Sequence, residues 1–456
     1  MSKTSDMSFR KSAELRFRAH ALIPGGCHTY SKGDDQYPEL APGFIVRGEG
    51  SHVFDVDGNE FIEYGMGLRA VTLGHGFQPV VDAACRQMKL GTNFLRPSVL
   101  EVEYAEELVD LIPGAEMVKF GKNGSDATSA AVKLARAHTG RDLVAIPEQQ
   151  PFFSIDDWFI GSTAMPGGIP DRTREMTVKF RYNDIASARA LFDQYSGQIA
   201  CVVLEAAKED DPQDDFLHEL KRLCHARGAL FVLDEMITGF RWDLRGGQHY
   251  YDIDPDLSAF GKAMANGFSV SALMGKKKYM EFGGIDPPGE RVFLMSQTHG
   301  AETHALAAAQ ATLRAYREFG VIERMWESGR RLREGIEGIV GELELDDYFK
   351  IHGKDCCLVY GTLDQDRKPS QPFRTLFLQE TIRRGLVMPS LIVSYAHTDS
   401  DIARTIEAVC EALVVYKKAL EEGIDKYLVG RPVRPVFSPS SHQRSGGVQS
   451  SSADNR

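Results

Sequence analysis

No stretch of the 456-residue chain stays apolar for the roughly 20 residues that a bilayer span requires, so a spanning helix is excluded. Basic charge is also in deficit. The 53 Lys and Arg against 64 Asp and Glu leave a net charge of −11, and with no basic footprint nucleic acid is excluded as the principal partner. Cysteine is sparse: seven residues, an odd number without metal spacing, fit a reducing cytoplasm rather than a disulfide framework. The adjacent Cys356 and Cys357 read as buried thiols in an apolar strand, not as a redox pair. The polar opening MSKTSDMSFRKSAELRFRAH has no apolar core of a secretory signal, and the expected location is cytoplasmic. His299, His304 and His352 share no ligand spacing, so no metal site is expected. The stretch 438–456, SPSSHQRSGGVQSSSADNR, is too poor in apolar residues to join a core and is expected to be disordered.

What is present is an ordinary globular balance, 43% hydrophobic and 26% charged, over a length that suits two domains. The organising stretch is ALFVLDEMITGFRWDLRGGQHYYDIDPDLSAFGKAMANGFSVSALMG, Ala229 to Gly275. The apolar run Ala229 to Leu233 reads as a strand buried on both faces of a parallel sheet. It ends in Asp234 and Glu235, at the carboxyl end where open α/β sheets place ligands. A second run, Leu257 to Phe260, delivers Gly261 and Lys262 into a small-residue loop. A carboxylate and a lysine at consecutive strand ends suit pyridoxal phosphate (PLP) chemistry: the amine forms a Schiff base, and the carboxylate keeps the pyridine nitrogen protonated. Taken singly, the carboxylates also read as helix caps and the lysine as a solvated side chain.

Further signals flank this stretch. Residues 44–63 alternate apolar and polar around a DVDGNE turn, a hairpin signal. A strand at Met117 to Phe120 runs into Gly-Lys-Asn-Gly-Ser-Asp and an Ala-rich helix, whose opening N–H groups could hold a phosphate or merely be capped. Apolar runs at Leu143 to Ile146 and from Ile199 read as strands, the second ending at Glu205, and a helix at Asp215 to Arg227 leads back to the central strand. Alternation of strands and helices implies a mainly parallel sheet with right-handed crossovers. A long amphipathic helix at about 318–340 leads to further strands around CCLVYGTL and LVMPSLIVSYAH. The helix DSDIARTIEAVCEALVVYKKALEEG follows them.

LDEMITGFR followed by SAFGKAMANGF resembles the class III aminotransferases of PLP fold type I, especially the glutamate-1-semialdehyde aminomutase branch. The resemblance spans about residues 20–430. It implies an α/β fold: a mainly parallel seven-stranded sheet in a large domain (66–320), and a smaller α+β domain (321–437) that recruits the N-terminal segment (1–65). It makes Lys262 the Schiff-base lysine and Asp234 the pyridinium partner, with Met236 beside the ring. Gly124 and Ser125 match the family's phosphate cradle, with Asp126 at the family's Glu. Phe152 takes the place of the ring-stacking aromatic in the family's Tyr-His-Gly, while Phe153 replaces its His; a plain core aromatic is the other reading. Glu205 matches the family's Glu near the cofactor, although Ala206 replaces the following Pro. Thr298 matches a Thr that reaches the phosphate of the neighbouring subunit, or else it caps a helix. The first of these readings makes the enzyme a homodimer with shared sites.

Substrate positions depart from the branch. Lys32 stands where the family has an Arg for a substrate carboxylate, keeping charge but losing the bidentate fork. Leu68 stands where the aminomutase has Trp, and Arg69 follows it. With the altered Tyr-His-Gly, these differences favour a ping-pong transaminase that takes its amine from a donor, L-glutamate on family grounds, and passes it to an aldehyde or ketone. The wording KYLVGRPVRPVF resembles members from surface-sugar biosynthesis, such as transaminases that make an 8-amino-3,8-dideoxy-octulosonate from an 8-oxo sugar acid. The alternative is an aminomutase, which needs no external donor.

Overall fold

The computed structural model describes residues 7–150 and 152–437. Its centre is a seven-stranded sheet in the order Met117–Gly121, Ser271–Gly275, Leu257–Phe260, Leu230–Asp234, Ile199–Leu204, Leu143–Pro147, Thr177–Phe180. Five strands run parallel through neighbouring pairs. Ser271–Gly275 runs antiparallel to both of its neighbours. Every residue of Ile199–Leu204 and Leu230–Asp234 is buried, which explains their unbroken apolar wording.

Alternate residues of these strands face different cores. Cys201, Val203 and Val232 meet Ala127, Ala131 and Leu134 of the helix Gly124–Thr139. Val202, Leu204, Phe231 and Leu233 meet Leu217, Leu220 and Leu223 of the helix Phe216–Ala226. The strand period of two thus feeds two layers of helix, and each fully buried Leu or Val contributes about 1.5–3 kcal/mol.

Both ends of the chain build a second body. Strands Ile45–Glu49, His52–Asp55 and Glu60–Glu63 form an antiparallel ribbon, and Leu386–Val387 joins its edge in parallel to Glu60–Glu63. The expected single hairpin is therefore two. One turns at Gly50–Ser51; the other is the Asp-Gly turn, where Asp55 Oδ1 accepts from the N–H groups of Asp57 (3.0 Å) and Asn59 (2.8 Å). The helices Val321–Glu342, Gln371–Arg383 and Asp399–Glu422 cover this side.

The helix expected at about 318–340 is Val321–Glu342, set off from Thr303–Phe319 by Gly320 (φ 58°). Two expectations need correction. Cys356 and Cys357 are buried, but they lie in a 3₁₀ turn, Asp355–Cys357, and the strand begins only at Val359. LVMPSLIVSYAH yields only the two-residue strand Leu386–Val387, because its remaining apolar residues are buried as irregular chain. The tail expected to be disordered, 438–456, lies outside the described residues.

Candidate active site

The carboxyl ends of three adjacent strands converge. Ile199–Leu204 presents Glu205, Leu230–Asp234 presents Asp234, and Leu257–Phe260 leads through Gly261 to Lys262. Glu205 and Asp234 are buried, and Lys262 is partly so. Desolvation dominates all three groups. It pushes Asp234 up to about 8, with Glu205 adding to the rise and Lys262 opposing it. It also raises Glu205, against the pull of Lys208, Lys262 and Arg69. It lowers Lys262, although Asp234 and Glu205 favour its charged form. Among the described residues the Lys262 amine has no hydrogen-bond or ion-pair partner, while the charges of Asp234 and Glu205 both act on it.

Backbone geometry supports this placement. Lys262 has φ 40° and Asn266 φ 44°, left-handed values that L-residues adopt only under constraint. Asn266 supplies some of that constraint: its Oδ1 accepts from Leu73 N–H (2.9 Å), and its Nδ2 donates to Gly74 O (3.0 Å). Tyr316 Oη donates to Ala263 O at 2.7 Å. Glu205 is fixed by Gln150, whose side-chain amide donates to Glu205 O (2.9 Å) and accepts from Glu205 N–H (2.8 Å). Gln150, Asn266 and Tyr316 carry no local sequence signal, since each works on backbone far away in sequence.

Asp234 and Glu235, paired in the sequence, part company. Glu235 is fully buried and spent on structure: its carboxylate accepts from Thr238 Oγ1, Gly247 N–H (2.8 Å) and Gln248 N–H (2.7 Å). Asp234 Oδ1 accepts from Met236 N–H at 2.8 Å, which fixes the carboxylate beside the buried Met236.

The phosphate-type turn follows strand Met117–Gly121. Asp126 is a cap, its Oδ2 accepting from the N–H groups of Lys122 (2.9 Å) and Asn123 (2.8 Å). Gly124 and Ser125 open the helix Gly124–Thr139, where their N–H groups have no intrahelical acceptor. Ser125 Oγ accepts from Ile155 N–H (3.0 Å). A Cβ on Gly124 would lie 2.8 Å from Met236 Sδ, and one on Gly261 would lie 2.7 Å from the same atom. Met236 therefore wedges between the helix start and the lysine loop, and glycine is what lets both approach it.

Other expected residues lie further out. Phe152 is almost half exposed and rests on Phe159 and Phe437, with ring centroids at 5.7 and 6.4 Å. Phe153 is buried against Phe159, and its carbonyl accepts from Thr128 Oγ1 (2.7 Å). Thr298 is exposed, its carbonyl accepting from Asn93 Nδ2 (2.9 Å). Lys32 is exposed in the 3₁₀ turn Tyr30–Lys32.

Leu68 and Arg69 sit in an unusual turn. Met66 (φ 41°), Gly67 (57°), Leu68 (58°) and Arg69 (70°) are all left-handed, a conformation costing about 1–2 kcal/mol for each non-glycine residue. Arg241 holds it. Fully buried, this arginine donates through Nη1 to Ile237 O (2.6 Å) and through Nη2 to Arg69 O. Arg241 closes the motif LDEMITGFR, yet nothing in that wording tells which carbonyl it meets.

A family model described as aminotransferase class-III matches residues 33–387. The chain belongs to the class III aminotransferases. It is 32% identical to a glutamate-1-semialdehyde 2,1-aminomutase of Natronomonas pharaonis, covering 89% of this chain and all of that one. The same-named protein of Alkaliphilus metalliredigens is 30% identical, with 91% of this chain and 98% of that one covered. Among solved structures, the PLP internal-aldimine form of the FumI protein of Sphingopyxis sp. MTA144 superposes with a TM-score of 0.82. It is 28% identical over 91% of this chain and 98% of that one. The architecture is that of an α/β PLP enzyme of fold type I.

The residues fit this cofactor. A lysine amine without a partner follows the strand next to the one that ends in a buried acid suited to the ring nitrogen, and an N-terminal helix turn is available for the phosphate. A glycine-lined gap holds Met236, and Glu205 Oε2 is buried without a partner. Among the described residues no cluster of three or more His, Cys, Asp or Glu is placed to hold a metal, and no helix is long and apolar enough to cross a membrane.

Proposed function

We propose that this class III enzyme transfers an amino group by aminomutase-type chemistry, moving an amine between carbons of one amino-aldehyde substrate with PLP as cofactor. The observation that carries the reading is the unpartnered Lys262 amine at a strand end next to those of buried Asp234 and Glu205, in a chain about 30% identical to curated aminomutases over nine-tenths of its length.

Bound PLP supplies an aldehyde that carries the amine and a ring that withdraws electrons from the carbon bearing it. Gly124 and Ser125 would offer their N–H groups to the phosphate. Asp234 would serve the ring nitrogen and so favour its protonated form. Met236 would pack against the ring, and Phe152 is assigned to it as the second packing residue. Lys262 Nζ, whose charged form burial disfavours, would take a proton from the substrate carbon and return it at the neighbouring position. Burial favours the protonated form of Glu205, whose charge acts on that amine.

A second reading is an intermolecular transaminase taking its amine from L-glutamate and passing it to an aldehyde or ketone, such as an 8-oxo sugar acid. The Leu68–Arg69 turn and the Phe152–Phe153 pair favour it. In either case Thr298, exposed beside a groove of about 960 Å³ along strand Met117–Gly121, is assigned to the phosphate of a second copy in a homodimer. Sedimentation at a single species of one chain mass would contradict that assignment.

The deciding experiment is absorption spectroscopy of the holoenzyme with single substrates. Conversion of glutamate-1-semialdehyde without any donor supports the aminomutase. Conversion of the cofactor to its amine form by L-glutamate alone supports the transaminase. A Lys262→Ala variant with normal turnover would overturn both.

A further inference from the structure

The left-handed turn Met66–Arg69 is closed by three backbone bonds, Arg69 N–H to Gly65 O (2.9 Å), Ala70 N–H to Gly67 O (3.4 Å) and Val71 N–H to Met66 O (3.0 Å). Three of its four residues carry side chains that disfavour this conformation, so something outside the turn must hold it. Arg241 does so, gripping Arg69 O with one arm and Ile237 O, three residues beyond Asp234, with the other. The turn is thereby tied to the strand end that carries the ring-nitrogen acid. Its following residues are tied to the lysine loop, through Asn266 at Leu73 and Gly74 and through Thr72 at Tyr316.

The Arg69 guanidinium is what this construction presents. Its Nε is buried without a partner, and among the described residues the side chain has no ion pair. Its charge is felt at both Glu205 and Lys262, drawing the first toward ionisation and the second away from it. An unpaired guanidinium beside a reactive amine, fixed by a strained turn, suits a planar anion that can take two of its N–H bonds. Lys32 is exposed and offers a single point charge.

We infer that Arg69 is the specificity-determining receptor for a carboxylate of the amino substrate, with Arg241 as the positioning residue that sets its turn. This rests on the reading of the chain as an amino-group transfer enzyme. Its test therefore uses a carboxylate that cannot react.

Glutarate titrated into the holoenzyme by calorimetry, beside its neutral diamide, reads the receptor directly. Arg69→Gln is expected to weaken glutarate about 10- to 100-fold and to leave the diamide unchanged. Arg69→Lys should recover part of that loss, and Arg241→Lys should fall between the wild type and Arg69→Gln. Lys32→Gln should bind glutarate as the wild type does. Unchanged glutarate binding in Arg69→Gln, equal loss of both probes, or loss confined to Lys32→Gln would overturn the assignment. If the protein takes up no PLP, the functional reading fails by spectroscopy, while glutarate titration of the same protein still reports on Arg69.

Discussion

Asp234 and Lys262 are opposite charges placed where neither is comfortable. An unfolded aspartate titrates near 4 (about 3.9), whereas burial holds Asp234 up at about 8. Between these values the folded, cofactor-free chain binds more protons at this site than the unfolded one, so the site costs stability as pH rises through the window. Asp234→Asn should therefore raise the melting temperature of the cofactor-free protein, and more at pH 8 than at pH 5. Equal gains at both would show that Asp234 is not held up. In the holoenzyme the same change removes the acid proposed for the ring nitrogen and should cut kcat/KM about 10²- to 10³-fold, the scale of losing one preorganised electrostatic contact. Gln150 tests the opposite case, a residue with no chemistry of its own. Gln150→Ala leaves the buried N–H and C=O of Glu205 unpaired and should cost about 1–3 kcal/mol in urea unfolding. Asp234 and Lys262 were legible in the sequence because each follows an apolar run at its carboxyl end. Gln150 and Arg241 were not, because their partners lie 55 and 172 residues away and no local pattern encodes such pairs.

At the scale of elements, close approach sets which changes are tolerated. Gly329, inside the helix Val321–Glu342, faces the 3₁₀ turn at Asp355–Cys357 so closely that a Cβ would lie 1.7 Å from Asp355 O. The obstacle is backbone and cannot swing aside. Gly329→Ala, favourable by helix propensity by about 1 kcal/mol, should instead destabilise by at least the roughly 1–3 kcal/mol of an overpacked core. A urea midpoint at or above that of the wild type would refute this packing. The same reasoning bears on what periodicity can reveal. The buried strands and amphipathic helices were readable because their apolar spacing is local. The antiparallel course of Ser271–Gly275 was not, since a strand buried on both faces reads the same in either direction.

Across the whole molecule, the two ends of the chain meet in one sheet, a pairing that the family resemblance implied and no composition could. His397 lies in that seam. It is fully buried, its Nδ1 accepts from Ser394 N–H (2.9 Å) and faces Ser394 Oγ (2.9 Å), and its ring lies 4.6 Å from that of Tyr64. Tyr64 Oη in turn donates to Thr405 Oγ1 (2.7 Å), and His52 from the N-terminal ribbon meets Asp401 at 3.1 Å. Desolvation lowers His397 to about 4, with Asp401 opposing the shift and His52 reinforcing it. A free histidine titrates near 6.5 (about that value in model peptides). Below it the unfolded chain gains a proton that the folded chain refuses, so the stability contributed by the neutral ring is complete above that pH and lost as pH falls toward 4. The loss amounts to as much as about 3 kcal/mol at the lower end. Urea midpoints at pH 7, 5.5 and 4.5 should decline in the wild type. His397→Asn keeps an acceptor near Nδ1 but cannot take up a proton, so it should start lower because of its cavity and decline less steeply. Parallel declines in the two proteins would mean that acid enters this fold elsewhere than at the seam between its ends.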